Sequence, residues 1–428
     1  MALSWEQLRY HPTHEALWNS PKRYAAVVAG RRSGKTELAK RKIVVSLAYK
    51  KPWPDPIYAY VLPTFPQARR VAWYSLLNMI PKEWIPKDGI NKTESSIKTI
   101  FGSTLYIVGM DKPHRIEGIS LDGIVLDEAS DHRPEVWSKT ALPMLTARSG
   151  WGWQIGVPKK AGVGRADFRE FFQRGMNGDP DIASYSWKSS EVWLPHQIEE
   201  AKRMMSDEAY REQCEAEWID AGGSVYHAYR AARNLADVQY NSDFPIYVGC
   251  DFNVDPMCWV LGHWNGEVLR IFEEVELKDT NTQKTLDYLY SKYSSHNAGW
   301  RFIGDASARQ RKSSASRTDY LHIRNDSRFR NATVWFPNRN PRVLDRIADV
   351  NALLCNAKDE VRLLINPKCT RLIKDFDAMS YKEKTNELED YSGTEIGHMS
   401  DALGYLITKI APIKLEGKAV PVLSTVSY

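Results

Sequence analysis

The sequence predicts an α/β protein of two domains, the first built on a doubly wound, mostly parallel sheet and the second on a mixed sheet. The 428 residues are enough for two ordinary domains and too many for one small module. In the first half, short apolar runs alternate with helix-like stretches, which is typical of strands joined by crossover helices. In the second half, three apolar runs follow one another closely, which indicates an antiparallel meander.

The elements of the first half are predicted from hydrophobic spacing. Each predicted strand is a short run rich in β-branched and aromatic residues, and each predicted helix has apolar residues three or four positions apart. Because strand and helix alternate, we expect the strands to be mostly parallel. The predicted strands are 24–30, 57–63, 104–110 and 123–128, and the predicted helices are 35–49 and 66–80.

A domain boundary is predicted at residues 219–245, where paired glycines and mixed polar residues interrupt a long helical stretch. We therefore predict a first domain over residues 1–220, with a lid and linker region at 165–220. A linker over 221–244 then leads into a second domain over 245–428.

The second domain opens with the predicted meander. Asn265-Gly266 lies between its second and third apolar runs and is a strong signal for a two-residue hairpin turn. The predicted strands are 246–252, 258–264, 268–277 and 301–307, and the predicted helices are 341–356 and 397–410.

Composition excludes several classes of protein. With 43% hydrophobic and 26% charged residues, the chain is neither disordered nor a coiled coil. We find no apolar run of about 18 residues and no secretory signal, so we expect a cytoplasmic location and no membrane partner. The 5 cysteines are scattered without a CxxC pair, which predicts reduced core thiols. A net charge of +5 is too modest to identify a partner by itself.

A phosphate-binding loop is predicted directly after the first strand. Its backbone N–H groups form a nest for anions, while Lys35 supplies a charge for the β- and γ-phosphates of ATP and Thr36 coordinates Mg²⁺. Gly30 and Gly34 let the backbone approach the phosphates closely. A glycine-rich turn that matches by chance is the alternative. The loop residues are Ala29, Gly30, Arg31, Arg32, Ser33, Gly34, Lys35 and Thr36.

Two adjacent carboxylates end the apolar strand at 123–128. Downstream of a phosphate loop, Asp127 can hold the metal from its outer shell and Glu128 can polarise the water that attacks the γ-phosphate. A strand end with solvated acids is the alternative. The transition state needs a further cation, for which Arg32 and Arg115 are candidates, although either can be an ordinary surface arginine. The sequence therefore predicts ATP hydrolysis.

Three aspartates of the second domain stand where strands and a helix can bring them to one site. Asp251 ends the first strand of the meander, Asp305 ends the later strand, and Asp401 lies at the start of the last predicted helix. Like charges held together are unfavourable unless cations neutralise them, and oxygen ligands favour Mg²⁺ or Mn²⁺. Two such ions would support phosphodiester hydrolysis. A loop-capping role for each aspartate is the alternative.

Further candidates surround these aspartates. Asp255, Glu273 and His398 are predicted accessories of the site. A basic stretch after Asp305 is expected to contact phosphates of a DNA duplex, with a solvated loop as the alternative. The basic residues are Arg309, Arg311, Lys312, Arg317, Arg324, Arg328 and Arg330.

The paired signatures resemble the large terminase subunit of tailed bacteriophages over most of the chain. The specific parts are the phosphate loop with Asp127-Glu128 and the three aspartates. The resemblance implies an N-terminal P-loop ATPase fold and a C-terminal ribonuclease-H-like nuclease fold. The supporting segments are 20–24, 126–129, 156–158, 210–213 with the glycine-rich linker after it, and 398–401.

The resemblance also implies a function. The N-terminal motor would use ATP with Mg²⁺ to drive double-stranded DNA into a procapsid, with Arg115 reaching the ATP of a neighbouring subunit. The C-terminal endonuclease would use two Mg²⁺ or Mn²⁺ ions to cut concatemeric DNA when packaging begins and ends. The implied partners are DNA, a portal protein, a small terminase subunit and further copies in a ring, with a monomer as the alternative in solution. The implied location is the host cytoplasm and, transiently, the portal vertex of the procapsid, but not the mature virion.

Two positions depart from the family pattern, and two other functions stay open. Val157 stands where Thr or Ser usually precedes proline in the coupling segment, and His14 stands where an adenine-reading Gln is common. The first alternative is a helicase-like translocase whose second domain only binds DNA, which ATPase activity without metal-dependent cutting would favour. The second is a non-enzymatic docking subunit, which nucleotide binding without turnover would favour.

Overall fold

The chain divides into two compact units in the computed structural model, which describes residues 11–111, 116, 118–160, 162–219, 222–252, 255–309, 318–382, 387–391 and 393–413. The first unit comprises Met1–Ile198 and Arg211–Asp220. The second comprises Glu199–Tyr210 and Ala221–Tyr428. No helix in these described ranges has the length and apolar character needed to cross a lipid bilayer.

The first unit is built around one large sheet. Its strands are β1 (Tyr24–Ala29), β2 (Ile57–Leu62), β3 (Ile90–Asn91), β4 (Ser96–Lys98), β5 (Thr104–Gly109), β6 (Gly123–Asp127), β7 (Trp151–Gly156) and β8 (Ile182–Trp187). Their order across the sheet is β3-β4-β5-β2-β6-β7-β1-β8. Only the β3-β4-β5 end is antiparallel among the described pairings, and the other neighbours run parallel. The prediction of a mostly parallel sheet is therefore confirmed.

Helices cover this sheet. They are α1 (Pro12–Trp18), α2 (Lys35–Leu47), α3 (Phe65–Ala68), α4 (Tyr74–Met79), α5 (Leu142–Thr146), α6 (Arg165–Met176), α7 (Pro195–Met204) and α8 (Asp207–Gln213), and the last two cross the division between the units. Wider π-helical turns lie at Arg69–Trp73 and Val136–Ala141. The helix predicted at 66–80 is thus formed in three consecutive segments. Every residue of β1 is buried, as expected for a strand covered on both faces.

The second unit has a mixed sheet with the order β14-β13-β10-β11-β12-β15. β10 (Ile246–Asp251), β11 (Met257–Trp264) and β12 (Leu269–Leu277) form the predicted antiparallel meander. β13 (Trp300–Gly304) joins β10 in parallel. The remaining strands are β9 (Gly223–Ser224), β14 (Ala332–Trp335), β15 (Leu363–Ile365) and β16 (Ser380–Tyr381), and the helices are α9 (Ala231–Asn234), α10 (Thr282–Tyr293), α11 (Asp319–Asn325), α12 (Val343–Leu354), α13 (Thr370–Ala378) and α14 (His398–Ile410).

The turn between β11 and β12 is longer than predicted. Trp264 pairs with Leu269, so the loop comprises residues 265–268 rather than Asn265-Gly266 alone. The Asn265 side chain accepts hydrogen bonds from the backbone N–H groups of Glu267 and Val268. This side-chain turn competes with the tighter hairpin, so the prediction of a two-residue turn is wrong.

The cysteines agree with their prediction as core thiols. All five are buried and free of disulfides. Burial raises the pKa of the Cys214 thiol to about 12, so this thiol stays protonated at neutral pH.

Gly249 determines how closely α14 packs on β10. A Cβ at position 249 would lie 2.4 Å from the carbonyl oxygen of Ala402 and 3.0 Å from the Cβ of Leu406. We expect Gly249→Ala to lower the free energy of unfolding of the second unit by about 1–3 kcal/mol, because α14 must move away from the sheet. Urea denaturation measures the change.

The matched control is Gly404→Ala in α14 itself. A Cβ there would meet Arg346 atoms no closer than 3.4 Å, which is an ordinary contact. This control should leave stability unchanged or slightly raised, since alanine is the better helix former. Equal stability of Gly249→Ala and the control would contradict the packing argument.

Candidate functional site

The predicted phosphate loop connects the end of β1 to the start of α2. Gly34 has a φ of 92°, in the left-handed region that favours glycine. A Cβ at Gly30 would lie 2.3 Å from the Ser189 hydroxyl oxygen and 2.4 Å from the Cys214 carbonyl oxygen. Glycine at position 30 is therefore required by packing within the protein, which the sequence had not indicated.

Neighbouring segments hold the loop in shape. The Gly30 N–H donates to the Trp187 carbonyl at 3.0 Å, and the Arg31 N–H donates to the Gln213 carbonyl at 2.7 Å. The Trp187 indole N–H donates to the Ser33 carbonyl at 3.0 Å, and the Ser33 hydroxyl to the Gly30 carbonyl at 2.6 Å. The loop is thus preorganised by β8 and by the end of α8.

Lys35 is buried at the first turn of α2, and its Nζ donates to the Gly30 carbonyl at 3.2 Å. Burial lowers the pKa of Lys35, while the charges of Glu128 and Asp127 raise it. The ammonium therefore faces the carboxylates that end β6, and an anionic phosphate would add the charge that favours its protonated form.

Asp127 ends β6 and meets several donors. Thr36 Oγ1 lies 3.2 Å from Asp127 Oδ2, Tyr60 donates its hydroxyl to the same oxygen at 2.6 Å, and the Glu128 N–H donates to Oδ1 at 2.9 Å. Burial is the largest cause that raises the pKa of Asp127, followed by the neighbouring Glu128. A hydroxyl and a carboxylate this close, with hard oxygen donors, fit the ligand set of a Mg²⁺ ion.

Glu128 follows in a left-handed turn, with φ 57°. Lys159 Nζ lies 2.7 Å from Glu128 Oε2 and 2.5 Å from Asp131 Oδ2. Burial favours the neutral acid, but Lys159 and then Lys35 lower the pKa of Glu128 below its ordinary value. The predicted water-polarising carboxylate is therefore ionised and held on one side by an ammonium.

The structure describes only some of the remaining residues predicted for the nucleotide site. Arg31 and Arg32 are exposed, and Arg32 has a φ of 53°. Arg115 lies outside the described residues, so its finger role stays a prediction. His14 is buried beside the loop, with its Cε1 3.1 Å from where a Cβ on Gly34 would lie, and burial lowers its pKa to about 4. His14 is neutral at physiological pH.

In the second unit, Asp251 and Asp305 lie side by side. Asp251 is the last residue of β10, and Asp305 directly follows β13, which pairs with β10 in parallel so that Cys250 faces Gly304. Both aspartates are buried, at 6% and 7% exposure. Burial, and to a smaller extent Asp251, raises the pKa of Asp305. The pairing register brings these two strand ends together, and a metal site shared by the aspartates stays a prediction.

The first turn of α14 presents the other predicted acid. Asp375 accepts hydrogen bonds from the backbone N–H groups of Gly397 and Ser400, which fixes the start of the helix. His398 Nδ1 lies 3.2 Å from Asp251 Oδ2, and this hydrogen bond raises the pKa of His398. The helix start that carries Asp401 is thereby tied to the strand end that carries Asp251.

Asp401 is paired with an arginine. Arg346 on α12 donates to Asp401 Oδ1 at 2.7 Å and stacks on the Tyr405 ring at 4.2 Å. Desolvation is the largest cause that raises the pKa of Asp401 to about 6, and Asp251 adds to it. Within the described parts of the chain, no three His, Cys, Asp or Glu side chains are grouped so that they could hold a metal ion. Asp401 lies close enough to Asp251 for their charges to interact, but Arg346 forms an ion pair with Asp401.

Two of the predicted accessory and basic residues, Glu273 and Arg328, pair with side chains other than the three aspartates. Glu273 accepts hydrogen bonds from Tyr288 at 3.0 Å and Lys292 at 2.6 Å, so its carboxylate is bonded to side chains of α10. Arg328 pairs with Asp326 and Asp287, at 2.6 Å and 2.7 Å. Residues 310–317, which include Arg311, Lys312 and Arg317, lie outside the described residues.

Three of the side chains that touch these acids have no distinct signal in the sequence. Tyr60, Lys159 and Arg346 were missed because strand tyrosines and helix arginines are common and carry no spacing signal. The only sequence hint was the position of Lys159 just after the Val157-Pro158 segment.

Fold and site together define the class of protein: a P-loop α/β unit joined to a mixed α/β unit with aspartates at the ends of paired strands. Phage proteins of similar sequence include two large terminase subunits. The large terminase subunit of Thermus phage G20c is 25% identical over 294 residues, which cover 58% of this chain and 59% of that protein. The large terminase subunit of Escherichia phage T5 is 21% identical over 417 residues, covering 92% and 89%. The chain thus matches about three fifths of the length of the Thermus phage relative. No family model matches the sequence.

Solved structures agree with the fold. The large terminase from the thermophilic bacteriophage D6E aligns with a TM-score of 0.64 at 16% identity, covering 94% of this chain and 99% of that one. The same protein in complex with ADP aligns with a TM-score of 0.63 at 17% identity. The predicted fold class and the resemblance to large terminase subunits of tailed phages are therefore confirmed.

Proposed function

We propose that this chain is a genome-packaging motor and nuclease. ATP hydrolysis in the first unit drives double-stranded DNA into a procapsid, and the second unit cuts concatemeric DNA when packaging begins and ends. The observation that carries the proposal is the presence of two separate acidic sites, one beside a phosphate loop and one at paired strand ends. The functional domains we assign are residues 1–220 and 245–428, joined by a linker at 221–244.

The motor site has a distinct role for each side chain. Lys35 and the loop N–H groups beyond Arg31 bind the phosphates, and Glu128 orients the attacking water. Thr36 and Asp127 would hold Mg²⁺, and the bound ion would neutralise part of the phosphate charge. The 3.2 Å approach of Thr36 to Asp127 supports this assignment. Arg115 or Arg32 supplies the additional cation.

The nuclease site is assigned to Asp251, Asp305 and Asp401. Their oxygens are the donors that Mg²⁺ and Mn²⁺ prefer, and two such ions would supply an activated water and a stabilised leaving group when bound. The shared strand edge of Asp251 and Asp305 supports the assignment. The described side chains do not form a complete metal-binding group, and Arg346 pairs with Asp401 at 2.7 Å.

The lack of a complete metal-binding group among the described side chains favours one second candidate function. A DNA translocase whose second unit only binds DNA needs an ATPase site but no assembled metal site. Mixing the protein with plasmid DNA, ATP and Mn²⁺ separates the two functions. Hydrolysis with cutting supports the motor and nuclease, and hydrolysis without cutting supports the translocase.

The proposal includes partners and a location. DNA, a portal protein, a small terminase subunit and further copies in a ring are the partners. The protein acts in the host cytoplasm and at the portal vertex of the procapsid, and it is absent from the mature virion. Analytical ultracentrifugation with and without portal protein tests the ring.

Arg346→Met is expected to tighten Mn²⁺ binding to the second unit about tenfold. Arg346 pairs with Asp401 at 2.7 Å, so its charge would repel a divalent ion held by the same carboxylate, and removing that repulsion gains on the order of 1 kcal/mol even in a water-like dielectric. Methionine keeps an apolar chain against Tyr405. Isothermal titration calorimetry measures the affinity, and Arg342→Met, whose Asp345 pair lies on the exposed surface of α12, is the control. Weaker Mn²⁺ binding in Arg346→Met would show that the arginine supports the site rather than competing for it.

A further inference from the structure

Lys159 lies between the two halves of the nucleotide site. It follows β7 by three residues, and β7 lies between β1, which leads into the phosphate loop, and β6, which ends at Asp127. Parallel strands place their carboxyl ends at one edge of a sheet. The turn after β7 is therefore flanked by the phosphate loop on one side and by Glu128 on the other.

The Lys159 ammonium forms ion pairs with two carboxylates. It lies 2.7 Å from Glu128 Oε2 and 2.5 Å from Asp131 Oδ2, and its side chain is 20% exposed. Burial opposes the charge of Lys159, but Glu128 and Asp131 raise its pKa above the ordinary value. Charge-assisted hydrogen bonds of this length are among the stronger ones in proteins.

A second contact joins the same two turns. The Ser130 hydroxyl donates to the Val157 carbonyl at 2.6 Å, and the Gly164 N–H donates to the Ser130 carbonyl at 2.9 Å. Glu128 itself has a left-handed backbone, which costs energy for a residue with a side chain and persists where the surroundings enforce it. The turn after β6 is thus held by the turn after β7 through a backbone contact and a side-chain contact.

We propose that Lys159 is a positioning residue for ATP hydrolysis, which holds the Glu128 carboxylate at the angle needed to orient the attacking water. This inference rests on the proposed ATPase function. Lys159 acts through Glu128 and does not contact the nucleotide. Ser130 and Lys159 together link the two turns.

The test compares Lys159→Met with Lys159→Arg. We expect the methionine variant to lose about 10- to 100-fold in kcat, the loss typical of a partner that orients a reacting group. KM for ATP and the affinity for a fluorescent ADP analogue should stay within about twofold of wild type. The arginine variant should recover most of the kcat, because a guanidinium can pair with both carboxylates. Lys160→Met is the matched control on the neighbouring residue.

A double-mutant cycle with Glu128→Gln separates positioning from a general loss of structure. If Lys159 acts only through Glu128, Lys159→Met should cause no further loss of kcat in the Glu128→Gln background. Lys159→Gln takes the place of the methionine variant if the latter does not fold. An unchanged kcat in Lys159→Met, or a nucleotide affinity that falls together with kcat, would overturn the inference. A wild-type protein without ATP turnover would instead refute the proposed function.

Discussion

Glu128→Gln should reduce ATP turnover by about 10²- to 10⁴-fold, the contribution typical of a general base. The amide keeps the size of the side chain but cannot polarise the attacking water. Nucleotide binding should persist, because Lys35 and the loop are untouched. A phosphate-release assay gives kcat, and binding of a fluorescent ADP analogue gives the affinity.

Two further variants serve as a control and a comparison for Glu128→Gln. Glu135→Gln changes an exposed acid further along the chain, paired at 2.7 Å with Lys139, and should leave turnover unchanged. Lys35→Ala should lose turnover and nucleotide affinity together, since its ammonium neutralises the phosphates. Turnover of Glu128→Gln within a few-fold of wild type would remove Glu128 from the reaction.

Asp251→Asn should lower metal-dependent cleavage of plasmid DNA by at least about 10²-fold, the upper end of the loss seen when a metal site loses a supporting group. Asparagine keeps the hydrogen bond with His398 but removes the charge that would hold a cation. Asp305→Asn and Asp401→Asn should act alike, because the three acids would bind the same ions. Gel electrophoresis of cleaved plasmid with Mn²⁺ measures the effect.

ATP hydrolysis is the internal control for these three variants, and it should equal that of wild type. Asp345→Asn, an exposed acid of α12, controls for the loss of a charge in the same unit. Full cleavage by Asp251→Asn would remove Asp251 from the proposed nuclease site.

The fold class and the candidate residues of both proposed sites could be predicted from local signals in the sequence. The phosphate loop could be predicted because glycine spacing, Lys35 and Thr36 have a fixed order next to a strand. Asp251 and Asp305 could be predicted because each ends an apolar run, and parallel pairing then brings the ends together.

Other features depend on tertiary contacts that no local pattern encodes. Gly30 is required by Ser189 and Cys214, which are distant in sequence. Lys159 and Arg346 reach their carboxylates from a different turn and a different helix. The four-residue turn at 265–268 reflects a side-chain hydrogen bond that competed with the predicted hairpin.

The proposed function requires two separate metal-dependent sites in one chain. Anomalous diffraction from crystals grown with Mn²⁺ and a non-hydrolysable ATP analogue tests it most directly. We expect one manganese peak beside Thr36 and Asp127, and two adjacent peaks among Asp251, Asp305 and Asp401 with Arg346 displaced. A peak at the phosphate loop with none at the three aspartates would contradict it.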